Sequence, residues 1–548
     1  MEQNRLLHTP EGFRDLYGAD YTKKLQIENT IHDIFAKNNY QDIQTPTLEY
    51  FDVFSSEIGT TPSKELYKLY DSEGNTLVMR PDFTPSVARC AAKYFMDENV
   101  PIRFSYAGDT FSNTSALQGK LKEVTQMGAE LMNDATVEAD AEMISLMVDV
   151  LKKTGLKDFQ ISIGNADFFK GLCEELKLSK DVELKVRDFI SGKNIYGAEN
   201  YLKESEIEDK IAERIIKVTD IFGGIDALDN TKDIADNDRS NNAVLRLKEL
   251  YKVLKAKGLE EYITFDLGLL SKYNYYTGII FRAYTFGMGD AIAKGGRYDN
   301  LLGYFGKDAP AIGFVIVVDD LLTALNSKPI EKEERYLTFA LGKGRLANKT
   351  MELLGQMGIH CEEMMDKDTR KLIFVNEELK LKFFLAKGPD VPTYVEYGAA
   401  DIGVVGEDTI VEEDRRVFEV LDLGFGKCRM CVCGPASAKE LLSHRERIRV
   451  ATKYPLIAKD YFYNKKHQTV DIIKLNGSVE LGPIVELSDV IVDIVETGST
   501  LRENGLEVLE EIMPLSARMI VNPVSMQIES ARIKDLILKM KALCEEKK

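Results

Sequence analysis

The chain has 548 residues, too many for one hydrophobic core and enough for about three or four domains. With 44% hydrophobic and 29% charged residues it has the make-up of a globular protein in water, and its net charge of −18 excludes general affinity for nucleic acid or anionic membrane. The start MEQNRLLHTPEGFRDLYG lacks the apolar segment of a secretory signal, the most apolar run carries Asp319 and Asp320 in its middle, and an odd number of cysteines does not suit a disulfide framework, so a cytoplasmic location is expected.

In chain order, Thr22 to Asn38 reads as an amphipathic helix, followed by extended YQDIQTPTLEYFDVF. Residues 172–260 are dense in Lys and Glu at helical spacing, a helical insertion, within which the polar DNTKDIADNDRSNN (229–242) reads as a loop. Strand character returns at YITFDLGLL and YYTGIIFRAYTFG. The charged NSKPIEKEER, residues 326–335, reads as a linker between domains at 1–325 and 336–548. Beyond it LTFAL leads through GKGR to a helix at ANKTMELLGQMG, and strands at ADIGVVG and SDVIVDIVE alternate with helical segments, a pattern that implies a parallel sheet. The last helix carries Ile533, Leu536, Ile537, Met540 and Leu543 on one face. Cys428, Cys431 and Cys433 have no fourth metal ligand and read as small packing residues of a strand, so no metal site is assigned. His360 and His444 lack a catalytic partner and read as structural.

The stretch VDIVETGSTLRENGL (492–506) places a Gly and hydroxyl turn between a strand and a helix, which suits a phosphate. Asp493 and Glu496 precede it. Carboxylates accept well from ribose hydroxyls, so the stretch reads as a phosphoribosyl site, with Thr497, Gly498, Ser499 and Thr500 around the phosphate.

Residues 335–548 resemble the short-form catalytic subunit of ATP phosphoribosyltransferase. The stretches carrying the resemblance are ALGKGRL, DVPTYVEYGAADIGVVGEDTI, LDLGFGKCRM, ATKYP, LNGSVELGP and VDIVETGSTLRENGL. The resemblance implies two α/β lobes like those of periplasmic binding proteins, lobe one about 336–426 plus 515–548 and lobe two about 427–514. It also implies a reaction joining N1 of the ATP adenine to C1 of phosphoribosyl pyrophosphate, with Mg²⁺ on the substrate phosphates. Lys343, Arg345, Arg429 and Lys453 are the expected phosphate contacts, and Asp390 and Tyr394 are expected to shape the cleft.

Residues 8–325 resemble the core of histidyl-tRNA synthetase, a class II fold with an antiparallel sheet, through TPEGFRDLYG, MRPDFTPSVAR, QMGAELM, YNYYTGIIF, GGRYDNLLGYFG and PAIGF. The departures are chemical. Ser112 follows Phe111 where the family holds the ATP phosphate with Arg, Asp320 stands where a second Arg neutralises ATP, and SKYNYY replaces RGLDYY. An anion in place of a phosphate-binding cation reverses the sign of the interaction. The resemblance therefore points to the paralogous regulatory subunit, with Asp82, Thr84, Gln126, Glu130, Tyr275 and Tyr276 as histidine contacts. The whole reads as a regulatory and a catalytic half fused in one chain, at least a dimer, inhibited by histidine at the first step of its biosynthesis. The alternatives are a regulator that binds histidine and nucleotide without turnover, and a bifunctional enzyme that still makes histidyl adenylate.

Overall fold

The structure, a computed structural model, describes residues 7–54, 61–114, 119–271, 275–327, 335–365, 371–443 and 447–545. It divides into two compact units, 1–330 and 331–548. Most of the expected linker (328–334), part of SKYNYY (272–274) and His444 lie outside the described residues. No helix among the described residues is long and apolar enough to cross a membrane.

The first unit is built on a nine-stranded sheet in the order Gln41–Asp42, Ile102–Phe111, Glu123–Met132, Ala311–Val317, Ala293–Arg297, Ile279–Tyr284, Gln160–Asn165, Ile263–Asp266, Phe222–Gly223. Its centre is antiparallel, as expected, but Gln41–Asp42 pairs in parallel with Ile102–Phe111 and Ile263–Asp266 with Gln160–Asn165, so the sheet is mixed. The helices Gly18–Lys37, Val137–Lys153 and Asp238–Ala256 supply much of the core through Ile31, Phe35, Ile144, Met147, Leu151, Leu247 and Leu254. The first of these starts before the expected Thr22, at Gly18, with Asp20 in its first turn where a carboxylate suits the helix dipole.

Within the helical insertion, only part of DNTKDIADNDRSNN is a loop. The helix Asp238–Ala256 begins inside it, because the Asn237 side chain caps the Ser240 amide at 2.9 Å and the polar residues after it form the first turn. The segment YQDIQTPTLEYFDVF contributes two short strands, Gln41–Asp42 and Leu48–Tyr50, and a 3₁₀ turn, Phe51–Phe54.

The second unit contains two sheets. One has six strands in the order Ile373–Asn376, Leu381–Ala386, Leu337–Gly342, Ile402–Gly406, Ala517–Val521, Phe418–Asp422. The other has five, in the order Val470–Lys474, Ile448–Thr452, Val490–Val495, Cys428–Gly434, Glu507–Leu515. The chain thus passes from the first sheet to the second between Asp422 and Cys428 and returns between Leu515 and Ala517. That return corrects the expectation of a parallel sheet. Ala517–Val521 enters the six-stranded sheet against its direction, and Cys428–Gly434 runs antiparallel to both neighbours, so each sheet is mixed.

At the crossing the Arg518 guanidinium is buried and ion-paired with Glu407 at 2.6 Å, Asp422 at 2.9 Å and Glu419 at 3.1 Å. Cys431 and Cys433 are buried in one cluster on one face of their strand, and Cys428 packs at the rim of the neighbouring one.

Candidate functional site

In the first unit, alternation along Glu123–Met132 points Gln126, Gly128 and Glu130 to the same face of the sheet. Small residues clear that face. A Cβ at Gly313, directly across from Glu130, would lie 1.5 Å from Glu130 Oε2, and one at Gly128 would lie 2.3 Å from the Tyr106 hydroxyl. On the next strand a Cβ at Gly296 would meet the Tyr276 ring at 2.4 Å. The large side chains therefore lie flat on bare backbone.

Glu130 is buried and accepts three hydroxyl hydrogen bonds, from Thr84 at 3.0 Å, Tyr106 at 3.2 Å and Tyr298. Burial pushes its carboxyl up to about 8, with Asp82 adding and the hydroxyl donors opposing. Asp82 accepts from the Thr84 amide at 2.6 Å, which opens the helix Thr84–Tyr94 and fixes the Thr84 hydroxyl on Glu130. Tyr275 is buried, packs on Tyr276 with centroids 4.5 Å apart, and meets Tyr298 edge-on at 6.2 Å. The structure thus gathers Asp82, Thr84, Glu130, Tyr275 and Tyr276, with half-buried Gln126 on the Glu130 strand. Sequence reasoning missed Tyr298 and Tyr106, although Tyr298 lies inside the motif GGRYDNLLGYFG.

At the other end of Glu123–Met132, Asp319 accepts from Arg14 at 2.9 Å, Lys24 at 3.3 Å and the Thr125 amide at 2.7 Å. Burial pushes the neighbouring Asp320 up to about 6, against Lys294 and with Asp290 and Asp319 adding.

In the second unit, Gly342 ends a strand, Gly344 adopts φ +108°, a conformation that suits glycine, and the helix Arg345–Gln356 starts at once. Lys343 and Arg345 are exposed there, and the Lys343 amide bonds to Ala386 O of the neighbouring strand at 2.9 Å. Arg345 makes a forked pair with Glu496, at 3.2 and 3.0 Å, holding Glu496 below the usual carboxylate range. Arg345 follows the six-stranded sheet and Glu496 the five-stranded one, so this pair bridges the two sheets.

Behind Glu496, Asp493 lies on Val490–Val495, and Lys453 follows the adjacent parallel strand Ile448–Thr452, whose Thr452 stands opposite Val492. Both groups emerge at the carboxyl end of parallel strands, the usual place for a ligand in an open α/β sheet. Thr452 fixes the turn, donating its hydroxyl to Val492 O at 2.7 Å and accepting from the Tyr454 amide at 2.8 Å. Burial pushes Asp493 up to about 6, with Glu480 and Asp408 adding and Lys453 opposing. Gly498, at φ +70°, precedes the short helix Ser499–Glu503, and the Thr497 and Ser499 hydroxyls meet at 3.1 Å.

The remaining predicted residues stand slightly apart. Arg429 is held by Glu511 at 2.9 Å across the next strand. Tyr394 packs edge-on against Phe384 at 5.0 Å, and Asp390 is exposed at the end of a 3₁₀ turn. Sequence reasoning missed Glu412, which joins the two sheets, and Asp408. Glu412, on the six-stranded side, accepts from the Leu456 amide at 3.0 Å and the Ile457 amide at 3.1 Å, opening the helix that follows Lys453. Near it Asp408, raised by burial, lies so close to Gly406 that a Cβ there would meet its carboxylate at 2.2 Å.

Residues 12–321 match the family described as histidyl-tRNA synthetase, and residues 387–542 the family described as ATP phosphoribosyltransferase. The ATP phosphoribosyltransferase of Lachnoclostridium phytofermentans is 72% identical over 212 residues, 39% of this chain and 99% of that protein. The ATP phosphoribosyltransferase regulatory subunit of Acetivibrio thermocellus is 39% identical over 328 residues, 60% of this chain and 78% of that protein. The crystal structure of an ATP phosphoribosyltransferase regulatory subunit/histidyl-tRNA synthetase from Bacillus halodurans is similar with a TM-score of 0.55 and 28% identity, covering 70% of this chain and 99% of that one.

Proposed function

The chain belongs to the ATP phosphoribosyltransferase family through its second unit and to the histidyl-tRNA synthetase family, in its regulatory-subunit branch, through its first, and we propose that the two act as catalyst and histidine sensor on one polypeptide. The catalyst condenses ATP with phosphoribosyl pyrophosphate to phosphoribosyl-ATP and pyrophosphate, the first step of histidine biosynthesis. The substrates lie between the two lobes, in the manner of a periplasmic binding protein.

The forked Arg345–Glu496 pair carries this reading, because it joins GKGR to ETGST across the two sheets. When the ribose C1 loses pyrophosphate, positive charge develops on the sugar and negative charge on the leaving group. Glu496 and Asp493 accept from the ribose hydroxyls, and the backbone and hydroxyls of Thr497 to Thr500 take the 5-phosphate. Arg345, released from Glu496, joins Lys343, Lys453 and Arg429 in neutralising the substrate phosphates. No side-chain nucleophile is needed; the residues hold two substrates in line. Mg²⁺ borne on substrate phosphates takes few protein ligands, and Asp493 and Glu496 offer hard oxygens suited to it. Its chemistry there is to neutralise charge on the leaving pyrophosphate.

In the first unit, the buried Glu130 ringed by hydroxyls and tyrosines accepts a hydrogen bond from an imidazole, and Asp82 and Gln126 receive the ammonium of histidine. Histidine inhibits by binding the active and inactive arrangements with different affinity. The fused chain keeps sensor and catalyst at high effective concentration.

Pyrophosphate release with ATP, phosphoribosyl pyrophosphate and Mg²⁺, repeated with added histidine, tests both parts. Turnover requiring both substrates and suppressed by histidine supports the reading. Turnover indifferent to histidine at demonstrated binding sinks the sensor, and absence of turnover sinks the catalyst.

A further inference from the structure

Histidine brings an imidazole, an ammonium and a carboxylate, and the pocket of the first unit answers only the first two. None of Asp82, Thr84, Gln126, Glu130, Tyr275 and Tyr276 is a cation. Burying a third carboxylate beside Asp82 and Glu130 without a positive partner is strongly unfavourable. The arginine that opens RGLDYY is replaced by Ser271. Two other cations of this sheet are committed elsewhere. Arg80 donates to Asp109 O at 2.8 Å and Thr45 O at 2.9 Å, and Arg297 pairs with Asp140 on the opposite face of its strand from Tyr298.

A cation reaches the pocket wall from behind. Asn165 caps the helix Ala166–Glu175, accepting from the Asp167 amide at 3.0 Å, and the Ala166 amide donates to Gly278 O at 2.8 Å, which fixes the first turn to the YYTG segment. One turn on, Lys170 donates its ammonium to Tyr276 O at 2.8 Å. An ammonium has three N–H groups, and the other two have no acceptor among the described residues. The carboxylates whose charge reaches Lys170 are held by other cations, Asp167 by Arg239 at 2.6 Å and Glu183 by Lys180 at 3.0 Å. Beside it lies a cavity of about 20 Å³, lined by Lys170, Leu270, Ser271 and Tyr276 among others, with room for a water molecule and not for an amino acid.

We propose that Lys170 supplies the positive charge for the carboxylate of bound histidine, so that the helix Ala166–Glu175 selects the amino acid over an amine with the same imidazole. This rests on the reading of the first unit as a histidine sensor. A carboxylate seated at the edge of Tyr276 meets the two remaining N–H groups, directly or through one water in the cavity. The half-buried lysine, costly to keep without a counterion, gains one when the ligand arrives.

Calorimetric titration of the full-length chain with histidine and with histamine, which keeps the imidazole and the amine and lacks the carboxylate, tests the assignment. Wild type is expected to bind histidine about thirtyfold tighter than histamine or more, the size of a charge-assisted contact. Lys170→Gln keeps an N–H for Tyr276 O and removes the charge, and Lys170→Met keeps only the stem. In both, the preference should fall to about threefold or less through weaker histidine binding, and Lys170→Arg should retain most of it. Equal weakening of both ligands in Lys170→Gln, or an unchanged preference, overturns the proposal, because Lys170 would then only shape the wall. A wild-type chain that binds neither ligand overturns the sensor reading itself, and this assignment with it.

Discussion

Histidine binding should release a proton, and Glu130 is the source. In the ligand-free protein burial holds its carboxyl up at about 8, so at pH 7 about nine-tenths of the molecules carry it protonated. An imidazole N–H bonds more strongly to the ionised form, and binding at pH 7 should therefore expel up to one proton per site. The ionised fraction rises from about one in eleven at pH 7 to about one in two at pH 8, so histidine should bind about fivefold tighter at pH 8, or about 1 kcal/mol. Calorimetric titration in two buffers of different ionisation enthalpy counts the protons directly. Glu130→Gln keeps the shape and removes the titration, and its binding should be weak and free of proton release. The same shift acts on stability with a definite sign. Because the folded protein holds this proton more tightly than a model carboxyl at 4.5, wild-type stability falls as pH rises from about 4.5 to about 8. Without histidine, Glu130→Gln should gain in Tm relative to wild type between pH 5 and pH 8. Tight binding at pH 7 with no proton released would refute the reasoning.

Gly313→Ala forces a methyl against Glu130 and should abolish inhibition by histidine while leaving uninhibited turnover within about twofold, at a folding cost of about 1–3 kcal/mol. Glu496→Ala removes a ribose acceptor and should raise KM for phosphoribosyl pyrophosphate by about tenfold or more, with a smaller change for ATP; equal effects on both substrates would remove it from the ribose. The wild-type chain should show no histidine-dependent exchange of pyrophosphate into ATP, and measurable exchange would revive the adenylating reading. Glu412→Ala uncaps the helix after Lys453 and should lower thermal stability by the equivalent of about 1 kcal/mol, read by calorimetry.

Local patterns were legible in the sequence where one segment carried the whole signal. VDIVETGSTLRENGL reads as strand, turn and helix, and it folds as Val490–Val495, Gly498 and Ser499–Glu503. What the sequence hid was long-range. Arg345 and Glu496 are 151 positions apart, and Tyr298 reaches Glu130 across 168, so neither contact has a local signature. Strand direction was hidden for the same reason: nothing in Ala517–Val521 itself says that it arrives from another sheet. DNDRSNN misled because a polar loop and the exposed first turn of a capped helix have the same composition, and the Asn237 cap decides between them.

Asp319 makes its corner of the first unit hard to convert. Its carboxylate serves Arg14, Lys24 and the Thr125 amide, tying the start of the chain and the helix Gly18–Lys37 to the strand Glu123–Met132. An arginine at position 320 would be a further cation beside Lys294 and Arg14, with the Asp319 anion still in place. Removing that anion first would strand two cations, one of them buried, without a partner. Conversion of this corner to a cationic site therefore passes through a poorly folded intermediate.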